Sequence, residues 1–294
     1  MTMEHTLESG SERDPKALRI AIFIPAFNAA ATLPKVLDRI PPDIKERVEE
    51  IFVIDNNSTD QTYMTAVEYQ RQHRLYKLKV FKNRRNVGYG GSQKIAYQYA
   101  IDKGFDVVVM LHGDAQYAPE KIAFLLEPFE RGEADMVFGS RIAGLPLKGG
   151  MPLYKFLGNK FLTFVQNRIL GTRLSEFHSG FRVFSCRALG QLPFTNCSDD
   201  YHFDTEIMIQ FIAKGLRIVE LPIPTYYGTE KCYVNVFSYG THVLVATLQY
   251  YLHKKRLRYY LKYDVEQPYR RMDYEATFSE VAAGPGDASS PPQA

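Results

Sequence analysis

The sequence predicts an α/β protein whose mixed, mainly parallel sheet is flanked by helices. Short apolar runs rich in β-branched residues, typical of strands buried on both faces, alternate with segments of helical composition. Polar and turn-forming residues follow these runs, at the strand ends where open α/β sheets bind ligands. A chain of 294 residues that is 45% hydrophobic is long enough to bury one large core.

The alternation of strands and helices is regular as far as residue 140 and less regular after it. In chain order the expected elements are strand 18–24, helix 30–40, strand 50–55, helix 61–72, strand 78–82, helix 92–103, strand 107–111, helix 119–131 and strand 135–140. Beyond residue 140 we expect helix 153–170, a strand entered from 176–184, a helix ending near 213, strand 216–221 and helix 236–262. The corresponding units are a main domain at 17–235, a C-terminal helical extension at 236–264 and disordered ends at 1–16 and 265–294.

Composition excludes several classes of protein. The net charge of +3 is too small to indicate a nucleic-acid partner. Cys186, Cys197 and Cys232 are scattered and odd in number, which predicts reduced thiols rather than disulfides or a zinc site. Residues 1–16 lack the apolar segment of a signal peptide, and no run approaches the roughly eighteen apolar residues of a membrane span. The predicted location is cytoplasmic.

Helix 153–170 leaves two interpretations open. Its apolar residues recur at helical spacing, as expected of a helix that packs against the core. Its aromatic residues are also interleaved with Lys155, Lys160 and Arg168, a combination typical of helices that lie on a membrane surface. The second interpretation would place the protein at the inner face of a membrane as a peripheral protein.

The strongest single signal is the end of strand 107–111. Its apolar run stops at His112 and is followed by Asp114 and Gln116. A carboxylate and an amide oxygen two residues apart are hard ligands that could share one Mg²⁺ or Mn²⁺. The alternative interpretation is an ordinary strand-to-helix loop in which the aspartate only forms a turn.

A basic, glycine-rich loop at 83–91 precedes helix 92–103. Glycines such as Gly90 and Gly91 allow a backbone to approach phosphate, and a helix N-terminus favours anions. The loop matches neither the P-loop nor the standard dinucleotide fingerprint, so both of those classes are disfavoured.

Two further clusters carry polar side chains after residue 175. The segment 176–184 places Ser179 and Arg182 around a glycine. Asp204 and Glu206 open the helix that ends near 213 and are candidates for a general base. Acidic residues are also favoured in the first turn of a helix by its dipole, and this alternative remains open.

Several of these motifs, taken in order, resemble those of glycosyltransferase family 2. They are Ile24-Pro25-Ala26-Phe27-Asn28, residues 54–60 (I-D-N-N-S-T-D), Asn86-Val87-Gly88 and Asp114-Ala115-Gln116. The block Ser179-Gly180-Phe181-Arg182 resembles the dolichyl- and polyprenyl-phosphate mannose or glucose synthase branch. The resemblance spans roughly residues 18–231 and implies a GT-A fold, which is Rossmann-like.

The resemblance also implies roles for individual residues. Those expected to bind the nucleotide-sugar are Pro25, Ala26, Phe27, Asn28, Asp55, Asn56, Gly90, Gly91 and Asp114. Asp114 would hold the Mg²⁺ or Mn²⁺ ion on the diphosphate, assisted by Gln116. The residues expected to face the acceptor phosphate or the diphosphate are Arg141, Ser179, Arg182 and Lys231.

Three departures from the family pattern qualify these roles. Asn56 stands where a second acidic residue is common after the second strand, which weakens any assignment of the nucleobase. His112 replaces the first aspartate of the synthase motif D-A-D-x-Q, so the metal has one carboxylate fewer unless His112 is itself a ligand. The transmembrane helices of some members are absent from the sequence.

Three functions follow from this combination. The first is inverting, metal-dependent transfer of a hexose from a donor of the UDP-glucose or GDP-mannose type to a polyprenyl or dolichyl phosphate, in cell-envelope polysaccharide synthesis. The second is a soluble family 2 enzyme that acts on a glycan, protein or small-molecule hydroxyl, with Asp204 or Glu206 as base. The third is a non-catalytic nucleotide-sugar-binding protein, motivated by His112. No nucleic-acid partner is expected, and the sequence gives no oligomeric state.

Overall fold

One mixed sheet organises the computed structural model, which describes residues 18–144, 146–147, 149–224, 235–267 and 269–282. Its strands are β1 (Ile20–Ala26), β2 (Glu50–Asp55), β3 (Leu78–Asn83), β4 (Val107–Met110), β5 (Met136–Ser140), β6 (Arg182–Ser185), β7 (Ile218–Pro222) and β8 (Phe278–Ala282). Across the sheet they lie in the order β7-β5-β6-β4-β1-β2-β3-β8.

The pairing confirms a mainly parallel sheet with antiparallel insertions. Strands β1, β2, β3 and β4 pair in parallel, so their carboxyl ends meet at one edge, with Ala26 beside Asp55. β6 lies antiparallel between β4 and β5, whereas β7 is parallel to β5. β8 pairs antiparallel with β3 at the sheet border.

The predicted helices occur in the predicted order with small shifts in their bounds, and two short helices, at 42–47 and 186–189, were not predicted. They are α1 (Leu33–Arg39), α2 (Pro42–Arg47), α3 (Thr62–Gln72), α4 (Tyr89–Asp102), α5 (Ile122–Glu130), α6 (Leu153–Leu170), α7 (Cys186–Leu189), α8 (Phe203–Ala213) and α9 (Val236–Lys254). α6 has the predicted bounds. α9 ends at Lys254 rather than at 262, because the chain turns at Arg256, whose φ is +57°.

The strands separate two apolar layers because successive side chains point to opposite faces. Ile20, Ile22 and Ile24 of β1 face a layer built with α1, α3 and α5. Phe23 faces the opposite layer, where its ring stacks on Phe52 with centroids 5.4 Å apart. The two layers cover both faces of the sheet beneath the loops at its carboxyl edge.

The prediction that residues 265–294 are disordered is wrong for the part that the structure describes. Phe278 begins β8 and stacks on Phe81 of β3, with ring centroids 4.8 Å apart. Tyr274 is also buried in the core. The prediction depended on the Gly-, Pro- and Ser-rich segment 283–294, which lies outside the described residues, as does the expected disordered segment 1–16.

Candidate active site

A cavity of about 1180 Å³ lies where the carboxyl ends of β1, β2 and β4 meet helices α6 and α9. Loops that follow the three strands supply most of its polar lining, including Pro25, Asn56 and Asp114. α6 and α9 supply a wall that is mainly apolar, with Leu162 and Leu244 among its members. Such a combination is typical of small-molecule sites.

Asn28 joins the loop after β1 to the loop after β2. Its backbone N–H donates to the Ser58 hydroxyl at 2.9 Å, and its side-chain oxygen accepts the Thr59 N–H at 2.9 Å. The φ of +51° at Asn28 is one that asparagine tolerates better than most residues. Pro25, Ala26 and Asn28 line the cavity, together with the half-exposed ring of Phe27.

Asp55 lies at the end of β2 with a side chain that is almost fully buried. One carboxylate oxygen accepts the N–H of Ser58 at 2.9 Å, and the other is buried with no hydrogen-bond partner among the described residues. Burial raises the pKa of this carboxyl, partly offset by the Ser58 contacts. A buried, unsatisfied acceptor is costly unless a ligand donor completes it.

Asn56 holds the loop after β3 in place. Its amide donates to Asn86 Oδ1 at 2.9 Å and to the Gly88 carbonyl at 3.1 Å. Its oxygen accepts from Asn83 Nδ2 and from the Val87 N–H, both at 3.0 Å. An aspartate could not donate the first two bonds, which explains the departure from the acidic pattern in physical terms.

The structure contradicts the nucleotide-binding role predicted for Gly90 and Gly91. Their N–H groups point to the carbonyl of Asp199, at 2.8 and 3.4 Å. A Cβ at Gly90 would lie 2.4 Å from the Ser198 carbonyl oxygen, so this glycine is needed for close packing. The cavity borders the preceding Gly88 instead.

The predicted metal residues lie on the loop that follows β4 and line the cavity. Asp114 is partly exposed, and one of its oxygens accepts the Gln116 N–H at 3.1 Å. The loop is fixed by Thr32, whose hydroxyl donates to the Gly113 carbonyl at 2.6 Å. Ala115 has a φ of +62°, a strained value that turns the loop between the two ligand candidates. Hard oxygen donors that face a cavity fit Mg²⁺ or Mn²⁺.

His112 connects this loop to the start of α8 through Tyr89. The Tyr89 hydroxyl lies 3.1 Å from His112 Nε2 and donates to Asp204 Oδ2 at 2.9 Å. Gln93 donates to the other Asp204 oxygen at 3.0 Å. A Cβ at position 180 would lie 2.4 Å from His112 Nε2, so only Gly180 fits there. His112 and Asp204 both line the cavity, and Nε2 of His112 faces Tyr89 and Gly180.

Arg182 is not placed to contact a phosphate in the cavity, because its side chain is fully buried. The guanidinium donates to three backbone carbonyls, those of Ser179 at 2.8 Å, Asp204 at 2.7 Å and Phe177 at 2.9 Å. Ser179 is also fully buried. The structure therefore contradicts a direct phosphate contact for both residues and shows Arg182 as the link between segment 177–180 and α8.

Glu206 is likewise buried away from the cavity, which contradicts its predicted role as base. Its carboxylate accepts the Ser198 N–H at 2.6 Å and an ion-paired hydrogen bond from Lys262. His202 Nε2 lies 3.7 Å from the same carboxylate. Of the two acidic candidates, only Asp204 borders the cavity.

Arg141 borders the cavity but carries a buried counter-ion. Its Nε donates to Glu176 at 3.0 Å, and its backbone N–H donates to the same carboxylate at 2.8 Å. Burial opposes ionisation of Glu176, yet Arg141 outweighs it, so the pKa of Glu176 is lowered. Burial lowers the pKa of the neighbouring His178 to about 3, so this imidazole is neutral. The predicted acceptor residue Lys231 lies outside the described residues.

Sequence reasoning missed the residues that form the helical side of the cavity. Lys155 and Asn159 of α6 and Tyr239 of α9 line it, and the Tyr239 hydroxyl lies 3.0 Å from His178 Nδ1. Tyr89 was missed as well, although it stands in the glycine-rich loop. The interleaved lysines and aromatic residues of helix 153–170 were the available signal for Lys155.

The comparisons with known proteins agree with this architecture. Residues 21–192 match the family model for glycosyl transferase family 2. The chain belongs to this family. Its fold is the GT-A fold, and it is a hexosyltransferase-type enzyme, so the non-catalytic interpretation is not retained.

Relatives of this family 2 chain include enzymes that act on lipid phosphates. A UDP-N-acetylglucosamine–dolichyl-phosphate N-acetylglucosaminyltransferase of Methanococcus voltae is 28% identical over 79% of this chain and 93% of its own length. A polyprenol monophosphomannose synthase of Mycolicibacterium smegmatis is 24% identical over 76% of this chain and 84% of its own. These relatives match the branch indicated by the sequence motifs.

The solved structures similar to this family 2 chain show the fold. Glucosyl-3-phosphoglycerate synthase from Mycobacterium tuberculosis, crystallised with Mn²⁺, UDP-glucose and phosphoglyceric acid, aligns with a TM-score of 0.61. The alignment covers 79% of each chain at 21% identity. In the described part of the present chain, no helix combines the length and apolarity needed to cross a membrane.

Proposed function

We propose that this enzyme transfers a sugar from a nucleoside-diphosphate sugar to a polyprenyl or dolichyl phosphate, with inversion at the anomeric carbon. The observation that carries the proposal is the two-sided cavity. Its polar loops surround Asp114, and its opposite wall is formed by apolar residues of α6 and α9. A site built in this way suits a charged donor on one side and a lipid chain on the other.

The donor nucleotide is assigned to the loops after β1 and β2. Phe27 offers an aromatic face, and Asp55 holds a buried carboxylate oxygen that lacks a partner among the described residues. Asp55 does not itself line the cavity, but it directly precedes the lining residue Asn56, and its oxygen can accept an N–H of a nucleobase that enters between the two loops. The supporting relatives are named for UDP-N-acetylglucosamine and for mannose, so both uridine and guanosine donors are to be tested.

The metal is assigned to Asp114, with the Gln116 side chain beside it. A bound Mg²⁺ or Mn²⁺ would supply positive charge to the diphosphate leaving group. Thr32 and Arg39 keep the loop in shape, the latter by donating to the Ala115 carbonyl at 3.2 Å. We leave His112 out of the ligand set, because Tyr89 and Gly180 surround its Nε2 atom.

Sugar transfer to a lipid phosphate needs no general base. An oxygen of the lipid phosphate attacks the anomeric carbon as the bond from that carbon to the diphosphate oxygen breaks. The electron pair leaves with the nucleoside diphosphate, and no proton has to be removed from an anionic phosphate. Lys155 and Arg141 line the cavity and supply cationic groups near the acceptor, although Glu176 compensates the charge of Arg141.

The lipid chain is assigned to the surface formed by α6 and α9. Four aromatic or aliphatic residues of these two helices both line the cavity and are exposed, namely Tyr154, Phe161, Val236 and Phe237. The apolar surface continues over Leu153, Leu157, Phe164, Val245, Leu248 and Tyr251. Exposed basic residues border its end, including Lys254, Lys255 and Arg258. Such a surface suits peripheral contact with an anionic membrane.

The direct test is incubation of the protein with labelled UDP-N-acetylglucosamine, UDP-glucose or GDP-mannose, a short polyprenyl phosphate and Mn²⁺. We expect one donor to give a labelled, organic-soluble product that EDTA abolishes. Asp114→Asn should lose the product while circular dichroism shows an unchanged fold. Absence of product with all three donors would refute the lipid-phosphate acceptor. A water-soluble product with a hydroxyl acceptor would instead favour a family 2 enzyme that acts on a glycan, protein or small-molecule hydroxyl.

Membrane contact has a separate test in sedimentation with anionic vesicles. The double change Phe161→Ser and Phe237→Ser should weaken binding at least about tenfold, because each buried phenyl ring contributes about 1.5–3 kcal/mol. Met64→Ser is the matched control, since Met64 is exposed on α3 and lies outside this surface. Equal binding of the double variant and the control would remove the membrane assignment.

A further inference from the structure

Three potential metal ligands meet beside the cavity, at some distance in sequence from the Asp114 loop. Asp200 and His202 precede and cap α8, and His242 lies on α9. Their ligand atoms all lie within 4.8 Å of one another. Asp200 also lines the cavity. The three side chains thus join the entry to α8 with the helix that forms the apolar wall.

The geometry directs one carboxylate oxygen toward both imidazoles. Asp200 Oδ2 lies 4.0 Å from His202 Nδ1 and 3.8 Å from His242 Nδ1, and the two rings are 4.8 Å apart between centroids. The other oxygen of Asp200 accepts the Tyr201 N–H at 2.7 Å, which fixes the orientation of the carboxylate. Zinc bonds of about 2.0–2.2 Å need donors slightly closer than this, so both imidazoles, the exposed His242 and the less exposed His202, would rotate toward Asp200 when an ion binds.

The surroundings of His202 suit a metal ligand. Its Nδ1 is buried and has no hydrogen-bond partner among the described residues. Its Nε2 faces the buried Glu206 carboxylate at 3.7 Å. Metal-bound histidines commonly direct their second nitrogen to a carboxylate, which orients the ring and increases its basicity.

We propose that Asp200, His202 and His242 form a second metal site, specific for Zn²⁺ or a similar borderline transition metal. Two imidazoles and one carboxylate are a donor set that zinc prefers, whereas the oxygen-only set at Asp114 suits Mg²⁺ or Mn²⁺. The ion fastens α9 to the segment that carries Asp200 and Tyr201. Tyr201 stacks on Tyr89 with ring centroids 5.2 Å apart, so this segment is also in contact with the network around Asp204.

The experiment is titration of the full, untagged, metal-free chain with Zn²⁺ by calorimetry, repeated with Co²⁺ as a spectroscopic probe. We expect about one tight equivalent of Zn²⁺ per chain, and visible absorption bands of tetrahedral Co²⁺ that Zn²⁺ displaces. His242→Ala should weaken binding at least about tenfold. This variant is suited to the test because His242 is nearly half exposed on α9.

Two controls separate this site from the one that binds the donor. His73→Ala removes an exposed histidine at the C-cap of α3 and should leave Zn²⁺ binding unchanged. Asp114→Asn should abolish sugar transfer and also leave Zn²⁺ binding unchanged. The proposal is overturned if no saturable equivalent is bound, if His242→Ala binds as the unaltered chain does, or if Asp114→Asn removes the Zn²⁺ equivalent.

Discussion

The role of Arg182 gives the sharpest test of the structure, because the sequence and the structure predict different outcomes for its replacement. A guanidinium that contacts phosphate would contribute to catalysis and little to folding. The observed guanidinium is fully buried and joins three carbonyls, those of Phe177, Ser179 and Asp204. Arg182→Met keeps much of the side-chain volume and removes all three hydrogen bonds.

The magnitude follows from those contacts. A hydrogen bond to a charged group contributes about 1.5–3 kcal/mol, and the three losses are not additive. The Asp204 carboxylate also loses a cation at 4.0 Å. Removing one partner from a buried ionic arrangement costs about 3–5 kcal/mol, and we expect the free energy of unfolding to fall by that amount.

Urea unfolding followed by circular dichroism measures this difference in free energy. Arg187→Met is the matched control, because that guanidinium is exposed and pairs with Asp135 at 3.6 Å. The buried Asp135 carboxylate keeps its partner Arg217 in this variant, so the loss of the exposed Arg187 guanidinium should cost at most about 1 kcal/mol. Arg182→Lys keeps the charge but cannot bind all three carbonyls. Its free energy of unfolding should lie between those of Arg182→Met and Arg187→Met.

The reasoning would be refuted by a stable variant with poor catalysis. If the free energy of unfolding of Arg182→Met lies within about 1 kcal/mol of that of the unaltered chain, the three hydrogen bonds of Arg182 do not stabilise the segment 177–180. A concurrent rise in KM for the lipid phosphate would then assign Arg182 to the acceptor, as the family resemblance implied.

Three further predictions concern the carboxylates and histidine around the cavity. Asp114→Asn should lower kcat about 100- to 1000-fold at fixed Mn²⁺, measured by initial rates, and an unchanged rate would exclude it as the metal ligand. Glu206→Gln should lower the free energy of unfolding by about 2–3 kcal/mol in urea, because Lys262 loses its buried partner, whereas turnover per folded molecule stays the same. His178 has a pKa of about 3 in the folded chain, against about 6.5 in the unfolded chain. Between these two values only the unfolded chain binds the proton, so the free energy of unfolding decreases as the pH is lowered. His178→Asn should make the decrease in the free energy of unfolding between pH 6.5 and 4.5 smaller by about 2 kcal/mol, a figure reduced because the ring borders the cavity. The same pH dependence in the variant and the unaltered chain would contradict the lowered pKa of His178.

The sequence by itself determined the fold class and the edge of the sheet at which the candidate site lies. Runs such as 50–55 and 107–111 are apolar along their whole length, and this local pattern specifies strands buried on both faces. Because parallel strands present their carboxyl ends at one edge, the polar residues that follow them had to converge. Asp114 and Asn56 accordingly border one cavity, close to Asp55.

Only the tertiary structure decided which charged and small residues face that cavity. Arg182, Glu206 and Gly90 looked like site residues by type and position, but each contacts a segment remote from its own neighbours in sequence. Whether a long side chain or a backbone amide meets solvent or protein depends on such remote contacts, which local composition does not encode. For the same reason β8 escaped prediction: its pairing with β3 joins residues about two hundred positions apart.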